Sequence, residues 1–324
     1  MPDSHLFSTL QSRLSKGDSA VLATVCAKSG STPRGAGARM LLTDDGFEGS
    51  VGGGSLERQV EDAMLEMQRD GAQAVMMDFA LDGQRAADEG MICGGAMTVL
   101  LERLEPTPKT VSLFAEVALR LEKGHATCIE AALRPDGVAR RLLESWSDGP
   151  PVERIAEDEA TIILQRIAPQ PRCLIFGGGH VGRATALLAH QTGFAVTLVD
   201  DRPDFADSSA YPAPVDVRLR DLTKPMDDLA TTNAYMVIVT RGHRHDGAVL
   251  GQALKSDAGY IGMIGSRRKR DMLYRELRAQ GASNEQLAEV RCPIGLDIGA
   301  QTPEEIAVSV VAEMIQFKAE RERG

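Results

Sequence analysis

The chain has 324 residues, 43% hydrophobic and 25% charged, which suits a globular protein with two cores rather than one. Its 36 basic and 46 acidic residues leave a net charge of −10, which argues against a nucleic-acid partner. No stretch is long and apolar enough to be a signal peptide or membrane span, so a cytoplasmic location is expected, with no membrane partner.

Leu6, Phe7, Leu10 and Leu14 recur at helical spacing and predict a helix over residues 4–16. A strand follows at 21–26, then a hairpin of strands 39–42 and 47–51 turning at Asp44-Asp45-Gly46. After Gly52-Gly53-Gly54 a helix is expected over 55–69, with Leu56, Val60, Met64 and Met67 as its core-facing stripe. Strands at 75–80 and 96–104, a helix at 111–123, and strands at 126–133, 139–145 and 161–167 complete an α+β domain without internal repeats. Pro169 and Pro171 mark a linker, which divides the chain into an N-terminal domain of residues 1–168 and a second domain of 169–324.

The second domain opens on an apolar strand running into Gly177-x-Gly179-x-x-Gly182. A helix over 183–190 and a strand over 195–199 follow, ending at Asp200-Asp201. This is the dinucleotide-binding fingerprint in its required setting: a tight turn, a backbone that a phosphate can approach, and an acid suited to a ribose. Apolar runs at 235–240 and 260–264 fit buried parallel strands. Thr302, Pro303 and Glu305 signpost the start of a last helix reaching Arg321. The expected fold is α/β: a Rossmann-like, doubly wound parallel sheet preceded by the α+β domain.

Ligands of such sheets gather beyond the carboxyl ends of the strands. Four segments should meet there: the glycine loop with His180, the pair Asp200-Asp201, residues 240–246 with His243 and His245, and residues 265–268 with Ser266 and Arg267. Lys269 and Arg270 are expected outside that site. The two histidines have three readings: caps of a strand-end loop, a catalytic pair with an acid, or direct ligand contacts. In the first domain, Arg34 in a turn-rich loop could wrap an anion, and Gly53 and Gly54 repeat the logic of a backbone anion cradle. Of the five cysteines, Cys26, Cys128 and Cys173 lie inside strands as small hydrophobes. Cys93 sits in a glycine turn and is the functional candidate.

Several segments together resemble the XdhC/CoxI group, accessory proteins of xanthine dehydrogenase and related molybdenum hydroxylases. They are 30–35, 49–57, 91–95, the glycine fingerprint, 262–269 and 293–300. The resemblance implies a chaperone without turnover of its own, acting as a homodimer in maturation of the dehydrogenase. Such a protein binds the molybdenum cofactor (molybdopterin) while a cysteine desulfurase helps place its terminal sulfur. It then passes the cofactor to apo-xanthine dehydrogenase. On this reading Arg34, Gly53, Gly54, Cys93, Gly177, Gly179, His180, Gly182, Asp200, His243, His245, Ser266 and Arg267 bind the cofactor, and Cys93 is a candidate molybdenum ligand. Asp200 suits a ribose that bare molybdopterin lacks, so either a nucleotide also binds or the acid only ends its strand. The alternatives are an NAD(P)-dependent oxidoreductase using His243 or His245 as general acid/base, and a non-catalytic nucleotide sensor.

Overall fold

The stripe Leu6, Phe7, Leu10 and Leu14 is buried along α1 (Asp3–Lys16), as its spacing requires. The computed structural model describes residues 3–81, 95–144, 149–157, 159–212, 215–226, 229 and 231–321. Between Gln170 and Pro171 the chain divides into two units, Met1–Gln170 and Pro171–Gly324.

The first unit holds two antiparallel sheets. One has the order β3-β2-β1-β5-β4, from β1 (Ala20–Gly30), β2 (Arg39–Thr43), β3 (Gly46–Gly49), β4 (Ala74–Leu81) and β5 (Gly95–Leu104). Successive side chains of β1 point to opposite faces, and both faces are buried. On one face Val21, Ala23 and Val25 meet Leu56, Val60, Met64 and Met67 of α2 (Gly54–Asp70). On the other, Leu22 meets α1 and α3 (Pro108–Glu122), while Cys26 and Leu100 meet Ala131 and Ile163 of the second sheet. That sheet has the order β7-β6-β9-β8, from β6 (Thr127–Arg134), β7 (Gly137–Leu143), β8 (Val152–Ala156) and β9 (Thr161–Ile167).

The second unit is a parallel sheet of order β12-β11-β10-β13-β14, from β10 (Arg172–Phe176), β11 (Ala195–Asp200), β12 (Asp216–Leu219), β13 (Tyr235–Ile238) and β14 (Tyr260–Met263). Chain order reverses beside β10, so the carboxyl ends of β10 and β13 flank the switch point where such sheets bind ligands. Leu174, Phe176, Met236 and Ile238 point to the face covered by α5 (His243–Ala253) and α6 (Arg267–Ala279). Cys173, Ile175, Tyr235 and Val237 point to the face covered by α4 (His180–Gln191) and α8 (Pro303–Arg321). Burying each large aliphatic side chain stabilises the sandwich by about 1.5–3 kcal/mol. The short helix α7 (Asn284–Ala288) leads into residues 291–294, which run along the outer edge of β14. There Met263 N–H donates to Arg291 O at 2.9 Å, and Ile294 N–H to Met263 O at 3.0 Å.

The fold class expected from the residues is the one observed. Two strands are not among those expected from the residues. In β8 only Val152 is buried and the residues show no clean alternation; β12 does alternate, as Val215-Asp216-Val217-Arg218-Leu219, but it is short and has no fully buried residue. Helix α4 begins at His180, three residues earlier than its apolar pattern suggests, because its first turn is built from the glycine loop.

Candidate functional site

Each glycine of the fingerprint meets a different demand. Gly177 has φ +115°, in the region that favours glycine, and a Cβ there would lie 2.5 Å from Val239 O. A Cβ on Gly182 would fall 1.7 Å from Gly177 O, so this glycine lets α4 pack against the turn. Gly179 has φ −64°, and a Cβ there would meet no atom of the chain within 4 Å. The first two are required by the fold; the third is not.

Gly179 is the N-cap of α4 and Gly242 the N-cap of α5, and neither has a side-chain cap. First-turn N–H groups of both helices are thus available to an anion at the switch point. Helix α6 starts at the neighbouring strand end, where Ser266 Oγ accepts the N–H of Lys269 at 3.2 Å. His180, His243, Arg244, Arg267 and Arg268 are exposed, and among the described residues their side chains make no hydrogen bond or ion pair. A protein of net charge −10 therefore gathers free basic groups at this edge of the sheet.

The histidines do not lie in a strand-end loop, as the residues 240–246 suggested. His243 and His245 sit in the first turn of α5, because Gly242 caps a helix there. His245 Nε2 lies 3.6 Å from Asp201 Oδ2, which also pairs with Arg241 at 2.9 Å. Asp246 is fully buried, accepts from Thr240 Oγ1 at 2.7 Å and faces the Lys269 ammonium, so it forms no pair with either histidine. Lys269, expected outside the site, turns inward: its Nζ also lies 3.4 Å from Ile264 O. Asp246 Oδ2 takes no hydrogen bond of its own, and the facing charge of Lys269 is what compensates its burial.

Asp200 stands where the fingerprint requires, at the end of β11, but its carboxylate is enclosed by the chain itself. Oδ1 accepts from Arg202 N and Nε, both at 2.9 Å; Oδ2 accepts from Gly178 N at 2.6 Å and an Arg202 terminal nitrogen at 2.9 Å. Burial opposes its charge, yet the Arg202 guanidinium and the two backbone donors outweigh burial and hold the carboxyl below the usual carboxylate range. The guanidinium carbon sits 3.6 Å from the centre of the Phe205 ring. Arg202 was not among the residues expected at the site; a basic residue two places beyond a strand-end acid was the available signal.

In the first unit three of the resembling segments converge. Gly30 pairs with Gly95 across β1 and β5, and a Cβ on Gly95 would lie 2.4 Å from Ser29 O. A Cβ on Gly52 would lie 2.9 Å from Pro33 Cγ, so the loop of Arg34 packs on the glycine triplet. Arg34 is exposed, and among the described residues its side chain has no partner. At Gly53 the expected anion cradle is filled from within. Glu57 Oε2 accepts from the N–H groups of Val51, Gly52 and Gly53, each at 3.0 Å, and from Ser50 Oγ at 2.5 Å. Burial opposes the Glu57 charge, but these four donors outweigh it and lower the pKa. An acid in the first helical turn after a glycine loop was the signal for this arrangement.

Cys93 lies outside the described residues. The other four cysteines are buried. Burial pushes the Cys26 thiol up to about 12 and that of Cys292 up to about 11, which leaves both poor nucleophiles at neutral pH. Among the described residues no helix is long and apolar enough to cross a membrane.

Residues 173–314 match the XdhC Rossmann domain, and residues 13–80 match the XdhC and CoxI family. A Bacillus subtilis protein, named as a probable subunit of xanthine dehydrogenase, is 30% identical to this chain, covering 95% of it and 96% of the relative. The chain belongs to the XdhC and CoxI family. The family read from the motifs is therefore the one found. The molybdenum cofactor insertion chaperone PaoD of Escherichia coli is 24% identical, covering 95% of this chain and 86% of its own. A crystal structure of a xanthine dehydrogenase from Bacillus halodurans matches with a TM-score of 0.81 and 26% identity, over 99% of this chain and 97% of that one.

Proposed function

We propose that this protein is a chaperone whose cargo is the molybdenum cofactor. It holds the cofactor while a cysteine desulfurase supplies the terminal sulfur, and then delivers it to an apo-hydroxylase of the xanthine dehydrogenase type. The observation that carries this reading is the open approach at Gly179, beside two helix N-termini without side-chain caps and a group of unpaired basic side chains. Molybdopterin ends in a phosphomonoester, and such a crevice has donors and charge suited to hold one. The insertion chaperone among the relatives supports the same reading.

On this reading the phosphate rests on the N–H groups opening α4 and α5, with His180, His243 and Arg267 around it. Ser266 acts indirectly, since its oxygen caps α6. Gly53 acts through Glu57, which fixes the turn on which the Arg34 loop packs, and Gly54 supplies the positive φ at the start of α2. Cys93, two residues before Gly95 in the chain, would offer a thiolate ligand to the metal. The protein binds and transfers without turnover of its own.

The test is to purify the protein from molybdenum-replete cells, release any bound pterin and identify it by its fluorescent oxidation product. Wild type should carry pterin, and Cys93→Ala should carry less and activate the apo-dehydrogenase poorly. Protein that is empty as isolated and takes up no pterin in vitro would overturn the proposal.

A further inference from the structure

A Rossmann-like sheet normally reads a nucleotide through the acid ending its second strand, whose carboxylate accepts from the ribose hydroxyls. An ionised carboxylate has about four acceptor sites on its two oxygens. In this chain all are taken: Arg202 N and Nε reach Oδ1, and Gly178 N and an Arg202 terminal nitrogen reach Oδ2. Asp200 is only 1% exposed. The guanidinium that encloses it is clamped from the other side by the Phe205 ring at 3.6 Å. A ribose diol approaching this corner finds a neutralised pair with no free acceptor.

Lack of room is not what closes the corner. A cavity of about 480 Å³ opens beside it at the ends of β11 and β12, lined by Asp201, Pro203, Leu219, Arg220 and Asp221. Leu219 is 58% exposed there and offers an apolar surface that a base could cover. A nucleoside would find open surface there, but Asp200, the acceptor at the fingerprint position, is spent, and Asp201 beside it is already paired with Arg241.

We infer that Arg202 is a specificity-determining residue: it occupies the ribose acceptor, so the crevice takes a ligand ending in a phosphomonoester and rejects one extended by a nucleoside. The inference deepens the proposed function by naming which form of the cofactor is held, and it rests on that reading for the identity of the ligand. The closure of the corner itself rests on Asp200 and Arg202 alone.

The test titrates the purified full-length protein with NADH and NADPH, followed by nicotinamide fluorescence. Wild type should show no saturable binding up to roughly millimolar nucleotide. Arg202→Ala and Arg202→Gln, the latter keeping a stem over the Phe205 ring, should gain NADH affinity by at least roughly tenfold. Adding Asp200→Asn to Arg202→Ala should largely cancel the gain, because the amide turns one of the two acceptor oxygens into a donor and removes the negative charge. Tight binding of NADH or NADPH by wild type overturns the inference, as does a folded Arg202 variant that gains nothing. Should neither variant melt cooperatively, the wild-type titration decides alone. Rejection of NADH by protein that also loads no pterin would sink the chaperone reading and leave the closed corner standing. NADH binding by protein that does load pterin would do the reverse.

Discussion

The guanidinium of Arg241 lies 2.9 Å from Asp201 Oδ2, so a residue following β13 is tied to one following β11, across the end of β10 between them. The pair thus crosses the strand that feeds the glycine loop. Arg241 is 50% exposed, and an ion pair so open to water contributes at most about 1 kcal/mol to stability. Arg241→Ala should therefore leave the melting temperature nearly unchanged. Its effect should appear in kinetics: bound pterin phosphate should be released several-fold faster, as measured by fluorescence after dilution.

The second and third glycines of the fingerprint, Gly179 and Gly182, separate binding from folding. Gly182→Ala drives a methyl into Gly177 O and should cost about 3 kcal/mol or prevent soluble expression. Gly179→Ala meets nothing in the chain and should fold as wild type does, yet retain far less pterin. Parallel thermal melts and pterin assays on the two variants check this. Equal pterin retention by Gly179→Ala and wild type would remove the loop from the binding site.

Glu57 makes the first unit sensitive to acid. Its folded pKa is lowered: four donors outweigh the cost of burial. A carboxyl depressed in the folded state contributes stability above its unfolded pKa, and loses it as pH falls through the folded value. The Glu57 contribution to the urea midpoint should therefore stay flat from neutral pH down to the ordinary glutamate range of about 4.3 and decline below it, and that part of the decline should vanish in Glu57→Gln. At neutral pH the same substitution should cost about 2 kcal/mol, a figure already reduced for the partial exposure of the side chain.

Asp246 and Lys269 should behave as a coupled pair. Lys269→Met leaves a buried carboxylate with Thr240 as its remaining partner, and should cost about 3 kcal/mol. Adding Asp246→Leu removes the stranded charge and should recover part of that loss. Chemical denaturation of the two single variants and the double variant closes the cycle. Additive losses would show that the two charges do not interact.

Periodicity and turn chemistry made most of this architecture readable. The stripes of α1 and α2 and the parallel strands β10, β11, β13 and β14 bury the residues their spacing marks, and the β2–β3 hairpin turns where its sequence places it. What stayed hidden is the partnering of polar groups. A glycine triplet looks the same whether it cradles a ligand or the chain's own Glu57. A strand-end Asp200 looks the same whether its oxygens are free or held by Arg202. Lys269 sits in a basic run that looks solvated, and only the approach of α5 to α6 shows that it neutralises Asp246. Such choices depend on which side chains share a buried corner, and no local pattern records that.

The strip of chain at 291–294 lies along the rim of β14, where its backbone bonds with Ile261 and Met263. A bare rim of that kind is a template on which other molecules can stack strand upon strand. The tail therefore does more than carry a final helix. It covers the β14 edge of the sheet, and a protease nick just ahead of Arg291 should loosen that cover and raise the tendency to aggregate.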